Sequence, residues 1–184
     1  NFVETVSLYK HLKNIDIVLN KIKEADSIIM IGPCYVTSYP ADTINLLDKM
    51  SSEEGILHGQ SLYGFIQGGM PYVHTHEQGI KLLENFAQKE NVNFKGGFVM
   101  GGGAALNGQP LEKTLGAKKI VPAVNTFIEH IKNDEEAPKD LYKNAEMKIP
   151  YLIAKMISIM MNKNIKKNLN KKGIDYNQKS PYAQ

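Results

Sequence analysis

Short apolar runs that stop at glycine alternate along this chain with stretches whose apolar residues recur at helical spacing. Nothing else in the sequence constrains the fold as strongly. Ser27–Ile31 (SIIMI) is a continuous apolar run stopped by Gly32-Pro33, Leu62–Ile66 (LYGFI) leads to Gly68-Gly69, and Phe94–Met100 leads to Gly101-Gly102-Gly103. Runs without polar alternation mark strands covered on both faces. Between them, Asn14–Ala25 repeats Ile15, Val18, Leu19 and Ile22, and the stretch after Pro40 repeats Ala41, Ile44 and Leu47 beside Leu46 and Met50. Thr75 followed by Gln78 has the form of a capping box and predicts a helix from His76 to about Glu90. Lys118–Lys132 carries Ile120, Val124, Phe127, Ile128 and Ile131 on one side. Phe2–Leu8 (FVETVSL) alternates like a strand and opens the series. Four β–α units in succession predict an α/β three-layer sandwich, a parallel sheet with helices on both faces.

The composition breaks at Asp134–Pro138 (DEEAP). Residues 1–134 are therefore expected to form the sheet domain, and 135–184 a helical, lysine-rich C-terminal extension with helices over 139–147 and 150 to about 162. Charge follows the same division. Residues 1–138 hold 12 lysines against 16 acids, and residues 139–184 hold 10 lysines against 3 acids. All 22 basic residues are lysine, so no forked guanidinium is present to grip phosphate or carboxylate. A weakly acidic body without arginine does not suggest a nucleic-acid partner. The single cysteine, Cys34, excludes a disulfide framework, a multi-cysteine zinc site and an iron–sulfur cluster held by this chain alone. The longest charge-poor run, Pro150 to Met161, is too short to cross a bilayer and no signal peptide is legible, so a cytoplasmic location is expected. Ile149–Met161 carries an apolar stripe followed by five lysines. Packing on the helical layer or on a partner subunit outweighs membrane contact for such a Met-rich stripe.

In an open parallel sheet, ligands bind outside the carboxyl ends of the strands. Two of the loops expected there, Gly32 to Pro40 and Gln67 to His74, are rich in glycine and aromatic residues and contain no Asp, Glu or Lys. That composition suits a flat, partly apolar ring held by side-chain stacking and backbone N–H groups, and does not suit a highly charged substrate. His74 and His76 stand two apart with no third ligand nearby, so no metal site is expected. Cys34 lacks a pairing cysteine and reads as a loop-filling residue.

At these loops the sequence resembles the flavodoxin-like NAD(P)H-dependent FMN reductases and NAD(P)H quinone reductases. The resemblance rests on Glu24-Ala25-Asp26 leading into the apolar strand Ser27–Ile31, on Pro33-Cys34-Tyr35, on Pro40 to Leu47, and on Leu62 to Gly69. It covers roughly residues 1–134. It implies a flavodoxin-like α/β/α sandwich that binds FMN, takes electrons from NADH or NADPH, and passes them to a quinone or another small acceptor, in a homodimer. Position by position, it implies that Pro33, Cys34, Tyr35 and Val36 line the flavin ring, that Gly68, Gly69 and Met70 approach its other side, and that Tyr72 and His74 flank the ring or the substrate. It assigns no catalytic side chain, because the flavin carries the redox chemistry. The alternative is a non-enzymatic flavodoxin-like electron carrier or binding module. The family pattern opens with a strand and a Ser/Thr/Asn-rich phosphate-binding loop that has no counterpart in these residues. The first β–α unit is thus expected to be absent from this sequence, leaving an open slot between Phe2–Leu8 and Ser27–Ile31 that a longer chain, a rearranged fold or another chain would have to resolve, the first being preferred.

Overall fold

A computed structural model describes residues 2–106, 108–114, 116–146 and 148–175. Three parallel strands, β1 (Ser27–Pro33), β2 (Ser61–Gln67) and β3 (Asn93–Met100), pair in the order β1-β2-β3. Helix α1 (Asp16–Lys23) precedes β1, α2 (Ala41–Ser52) joins β1 to β2, α3 (Gln78–Glu90) joins β2 to β3, and α4 (Ala117–Lys132) follows β3. The chain folds as α/β, and its architecture is consistent with a flavodoxin-like α/β/α sandwich.

The pleat divides the core into two halves. In parallel register Ile28 sits beside Leu62 and Met30 beside Gly64, so these residues share one face. Gly64 and Gly97 lie tight against Ile80 and Leu83 or Ile80 alone, which puts α3 on that face. Right-handed crossovers place α2 on the same side, since β1→β2 and β2→β3 run in one direction across the sheet. Val18, Leu19 and Ile22 of α1 and Leu46, Leu47 and Met50 of α2 are buried in the same core. On the opposite face Tyr63, Phe65 and Phe98 meet Phe127 of α4, with ring centroids 5.7–6.3 Å apart. Such aromatic groups contribute both large buried area and oriented ring contacts.

Differences from the sequence expectations have local causes. Residues 2–7 take no regular secondary structure and pair with no described strand, and a 3-10 turn occupies Leu8–His11. Their alternating pattern supplies propensity; a ladder partner is missing. Helix α3 starts at Gln78, two residues after the expected position. The Thr75 hydroxyl donates to the Tyr72 carbonyl at 2.6 Å rather than accepting from the helix, and a 3-10 turn covers Val73–Thr75. The helix expected over 139–147 is the single turn α5 (Leu141–Asn144). Its neighbourhood is tied to the sheet: the Ala137 N–H donates to the Lys95 carbonyl at 2.7 Å, and Tyr142 is buried against Phe98.

Residues 1–147 and 148–184 form separate compact units. The second contains α6 (Tyr151–Lys171), nine residues longer than the expected end near 162, because nothing between Asn162 and Lys172 breaks a helix and Gly173, at φ +69°, supplies the stop. None of its residues is buried. Among the described residues no helix is long and apolar enough to cross a membrane.

Candidate functional site

All three strands run the same way, so their carboxyl ends meet at one rim. The Cys34 N–H donates to the Gln67 carbonyl at 2.6 Å, joining the loop after β1 to the end of β2. The Gly68 N–H donates to the Met100 carbonyl at 2.9 Å, and the Gly103 N–H returns to the Gly68 carbonyl at 2.8 Å. A further bond runs from the Gly102 N–H to the Met70 carbonyl at 2.7 Å. Four backbone hydrogen bonds thus lace the three loops together.

The first loop is a strained two-residue turn. Tyr35 and Ser38 exchange both backbone hydrogen bonds, at 2.7 and 3.2 Å, around Val36 and Thr37. Val36 (φ +48°) and Thr37 (φ +75°) both lie in the left-handed region, the geometry of a type I′ turn. That geometry favours Asn-Gly; two β-branched residues there cost about 1–2 kcal/mol each. The turn is held from below by Tyr39. Its buried ring packs on Gly32, where a Cβ would stand 3.0 Å from it, and its hydroxyl donates to the Met30 carbonyl at 3.1 Å. Burial pushes the Tyr39 phenol well above its ordinary pKa. The result is an outward display: Tyr35 is 64% exposed and Val36 95%.

The second loop is held by His76. Its ring fills the space where a Cβ on Gly68 would stand, so only glycine fits that position. His76 Nε2 lies 3.1 Å from the Met70 carbonyl and 3.1 Å from Thr75 Oγ1, while buried Nδ1 has no partner. This suits the tautomer carrying its hydrogen on Nε2 and donating to Met70. The Val73 N–H donates to the Glu146 carboxylate at 2.9 Å. Tyr72 and His74 stack at 5.9 Å with their rings 26° apart, both exposed. Glycines 101–103 serve backbone approach: a Cβ on Gly101 would strike the Pro71 carbonyl, and one on Gly103 would strike the Gln67 side chain.

Of the expected site residues, Cys34, Gly68 and Met70 are tied into the rim by these bonds, Pro33 and Gly69 are their chain neighbours, and Tyr35 and Val36 project from it. Gly68 is buried beneath the surface, whereas Gly69 and Met70 are exposed. Tyr72 and His74 form their own stacked pair on the second loop. Pro33 and Tyr35 also line a groove of about 670 Å³ that follows β1, a groove to which Gly68–His74 contribute no lining. Gln67 escaped the sequence reading as a site residue, yet it occupies the centre of the rim, accepting from Cys34 and backing Gly103. Its place directly before Gly68-Gly69 was the available signal. Tyr39 and His76 act through the loops they support. Neither loop carries an acid or a lysine. Burial raises the Cys34 thiol above its ordinary pKa, with partial relief from a hydrogen bond to the backbone at Thr37, so it stays protonated at neutral pH.

No family model and no curated protein matches this chain. Among solved structures, a flavone reductase aligns at 13% identity and a TM-score of 0.49, covering 76% of this chain and 52% of its own. A thermophilic tryptophan halogenase from Streptomycin violaceusniger aligns at 16% identity and a TM-score of 0.47, covering 67% of this chain and 77% of its own. The chain spans about half the length of the flavone reductase it matches. At these identities and scores the likeness does not assign a reaction, and the functional reading rests on the rim itself.

Proposed function

We propose that the rim binds the isoalloxazine ring of FMN and that the protein is a flavin-dependent oxidoreductase, taking electrons from NADH or NADPH and delivering them to a quinone or similar small acceptor. The observation that carries this is the uncharged rim: Tyr35, Val36 and Met70 stand exposed on loops bonded to one another, beside the stacked Tyr72 and His74. Aromatic and apolar side chains on loops that carry no acid or lysine of their own suit a planar heterocycle that shuttles between oxidation states. The strained Val36–Thr37 turn fits the same reading, since strain of this kind gathers where a loop must present a specific shape.

The fit is uneven. The rim suits the ring, but these loops do not offer a cradle for the FMN phosphate. The N–H groups of Gly102 and Gly103 are already committed to Met70 and Gly68, and α2 carries Asp42 in its first turn, where a second negative charge is unfavourable. The flavin would supply the electron transfer. The chain's own part is to stack on the ring, exclude water from one side and hold the loops in register. A homodimer in the cytoplasm is the expected setting.

The test is reconstitution of the protein in its natural full length with FMN, followed by gel filtration and addition of NADH or NADPH with a soluble quinone. Retained flavin with quinone-dependent nicotinamide oxidation supports the proposal. Retained flavin without nicotinamide oxidation replaces it with an electron carrier. Protein that keeps no flavin overturns it.

A further inference from the structure

Helix α6 displays an apolar surface that turns cationic part way along its length. Composition favours packing for so Met-rich a stripe, yet no residue of α6 is buried. In its first three turns Leu152, Ile153, Met156, Ile157, Met160 and Met161 are 39–72% exposed. At helical spacing these six cover about half of the circumference, far more than the narrow seam of a coiled coil. The cations do not sit on the opposite side. The row Leu152–Met156–Met160 continues, in steps of three and four residues, as Lys163, Lys167 and Lys171. One face is thus apolar and then basic to its end. From Lys148 to Lys172 there are seven lysines and no Asp or Glu. The two compact units differ in sign: residues 1–147 hold 14 lysines against 18 acids, and residues 148–184 hold 8 against 1.

We propose that α6 docks on the surface of an anionic lipid bilayer. Its first three turns bed at the boundary between headgroups and acyl chains, and Lys163, Lys167 and Lys171 meet lipid phosphates with their stems along the same boundary. The change of character along one face selects this partner. A bilayer offers apolar and anionic material at adjacent depths everywhere on its surface, whereas a protein groove would need an apolar half and an acidic half in register with this helix. A second copy covers only a seam and leaves much of the apolar surface bare, and pairing along the full length in parallel sets lysine against lysine. Tyr151, 78% exposed at the start of the helix, has the apolar ring and polar tip suited to the boundary. Lysine serves phosphate as a point charge and needs no fork. The acidic balance of residues 1–147 confines attraction for an anionic surface to the second unit. Because α6 is apolar only in its first half, it lies on the surface and does not cross. The inference is independent of flavin binding.

Sedimentation of the full chain with vesicles at low salt tests it. Equimolar phosphatidylcholine and phosphatidylglycerol should carry the protein down. Phosphatidylcholine alone should bind on the order of 100-fold more weakly, from roughly fivefold for each of three lysines. Replacing Lys163, Lys167 and Lys171 with Gln should produce a similar loss on the mixed vesicles. Met156→Glu combined with Met160→Glu should abolish pelleting, and because both side chains are exposed, Tm should not change. No pelleting of the parent chain with mixed vesicles overturns the proposal, as does equal binding to both vesicle types. Binding that survives the two glutamates removes α6 as the contact. A lipid-free dimer in analytical ultracentrifugation that the same two glutamates dissolve assigns the face to a second copy and also overturns it.

Discussion

Replacing Val36 with Asn and Thr37 with Gly tests whether the rim stores strain. Both residues adopt positive φ, +48° and +75°, in a two-residue turn closed by Tyr35 and Ser38. Relief of about 1–2 kcal/mol per residue is expected for β-branched side chains leaving this region. Against it stands the greater unfolded-state entropy of glycine, about 0.5–1 kcal/mol. Little packing is lost, because Val36 is 95% exposed and Thr37 is exposed as well. The net gain is about 1–3 kcal/mol, since Asn-Gly is the preferred type I′ pair. At about 2–4 °C per kcal/mol for a protein of this size, Tm should rise by roughly 2–12 °C. Thermal unfolding by circular dichroism, paired with urea titration, measures it. If the proposed function holds, the same variant binds FMN more weakly, having lost the Val36 side chain from the rim. An unchanged or lowered Tm would refute the strain argument, and a stabilised protein with undiminished FMN affinity would detach the strain from function.

Other expectations follow from single contacts. Gly68→Ala should destabilise by about 1–3 kcal/mol, because its methyl meets the buried His76 ring, and His76→Ala should recover part of that loss in the double variant; additive denaturation midpoints would contradict the contact. Phe127→Ala removes the ring that meets Tyr63, Phe65 and Phe98 and should cost about 3–5 kcal/mol in urea unfolding. Burial, followed by the nearby Asp134 charge, pushes the Tyr63 phenol up to about 12. Its protonated form is favoured on folding, so its contribution is complete below pH 10 and is lost as pH climbs toward 12; Tyr63→Phe should flatten that part of the alkaline stability curve. Cys34, held as a thiol by burial, should react with iodoacetamide at pH 7.5 more slowly than free cysteine.

The alternation of apolar runs and helical stripes was enough to locate β1, β2 and β3 and to place their carboxyl ends on one rim. Ser27–Ile31 and Leu62–Ile66 each fall inside a strand, and Phe94–Met100 differs from β3 by one residue. Periodicity carries that information because covered strands and amphipathic helices must expose different residues to the core. Other features depended on neighbours distant in sequence. Phe2–Leu8 has the composition of a strand, but a strand exists only where a ladder partner meets it. His76 looked like the start of a helix and instead turns inward beneath Gly68, because the glycine leaves room for its ring. The helix expected over 139–147 yields to a sheet-bound segment once Ala137 hydrogen-bonds Lys95.

The sequence by itself determined the layered α/β plan, the uncharged composition of the two loops and the placing of glycine at the strand ends. Only the tertiary structure decided that Val36 and Thr37 sit in a left-handed turn, that Met70 is held from two sides by His76 and Gly102, and that Ile29 and Ile31 face an open groove. The reason is physical. Periodicity and composition record which residues prefer burial, whereas the hydrogen bonds and contacts that fix a loop or leave an edge unpaired join residues whose separation along the chain carries no local signal.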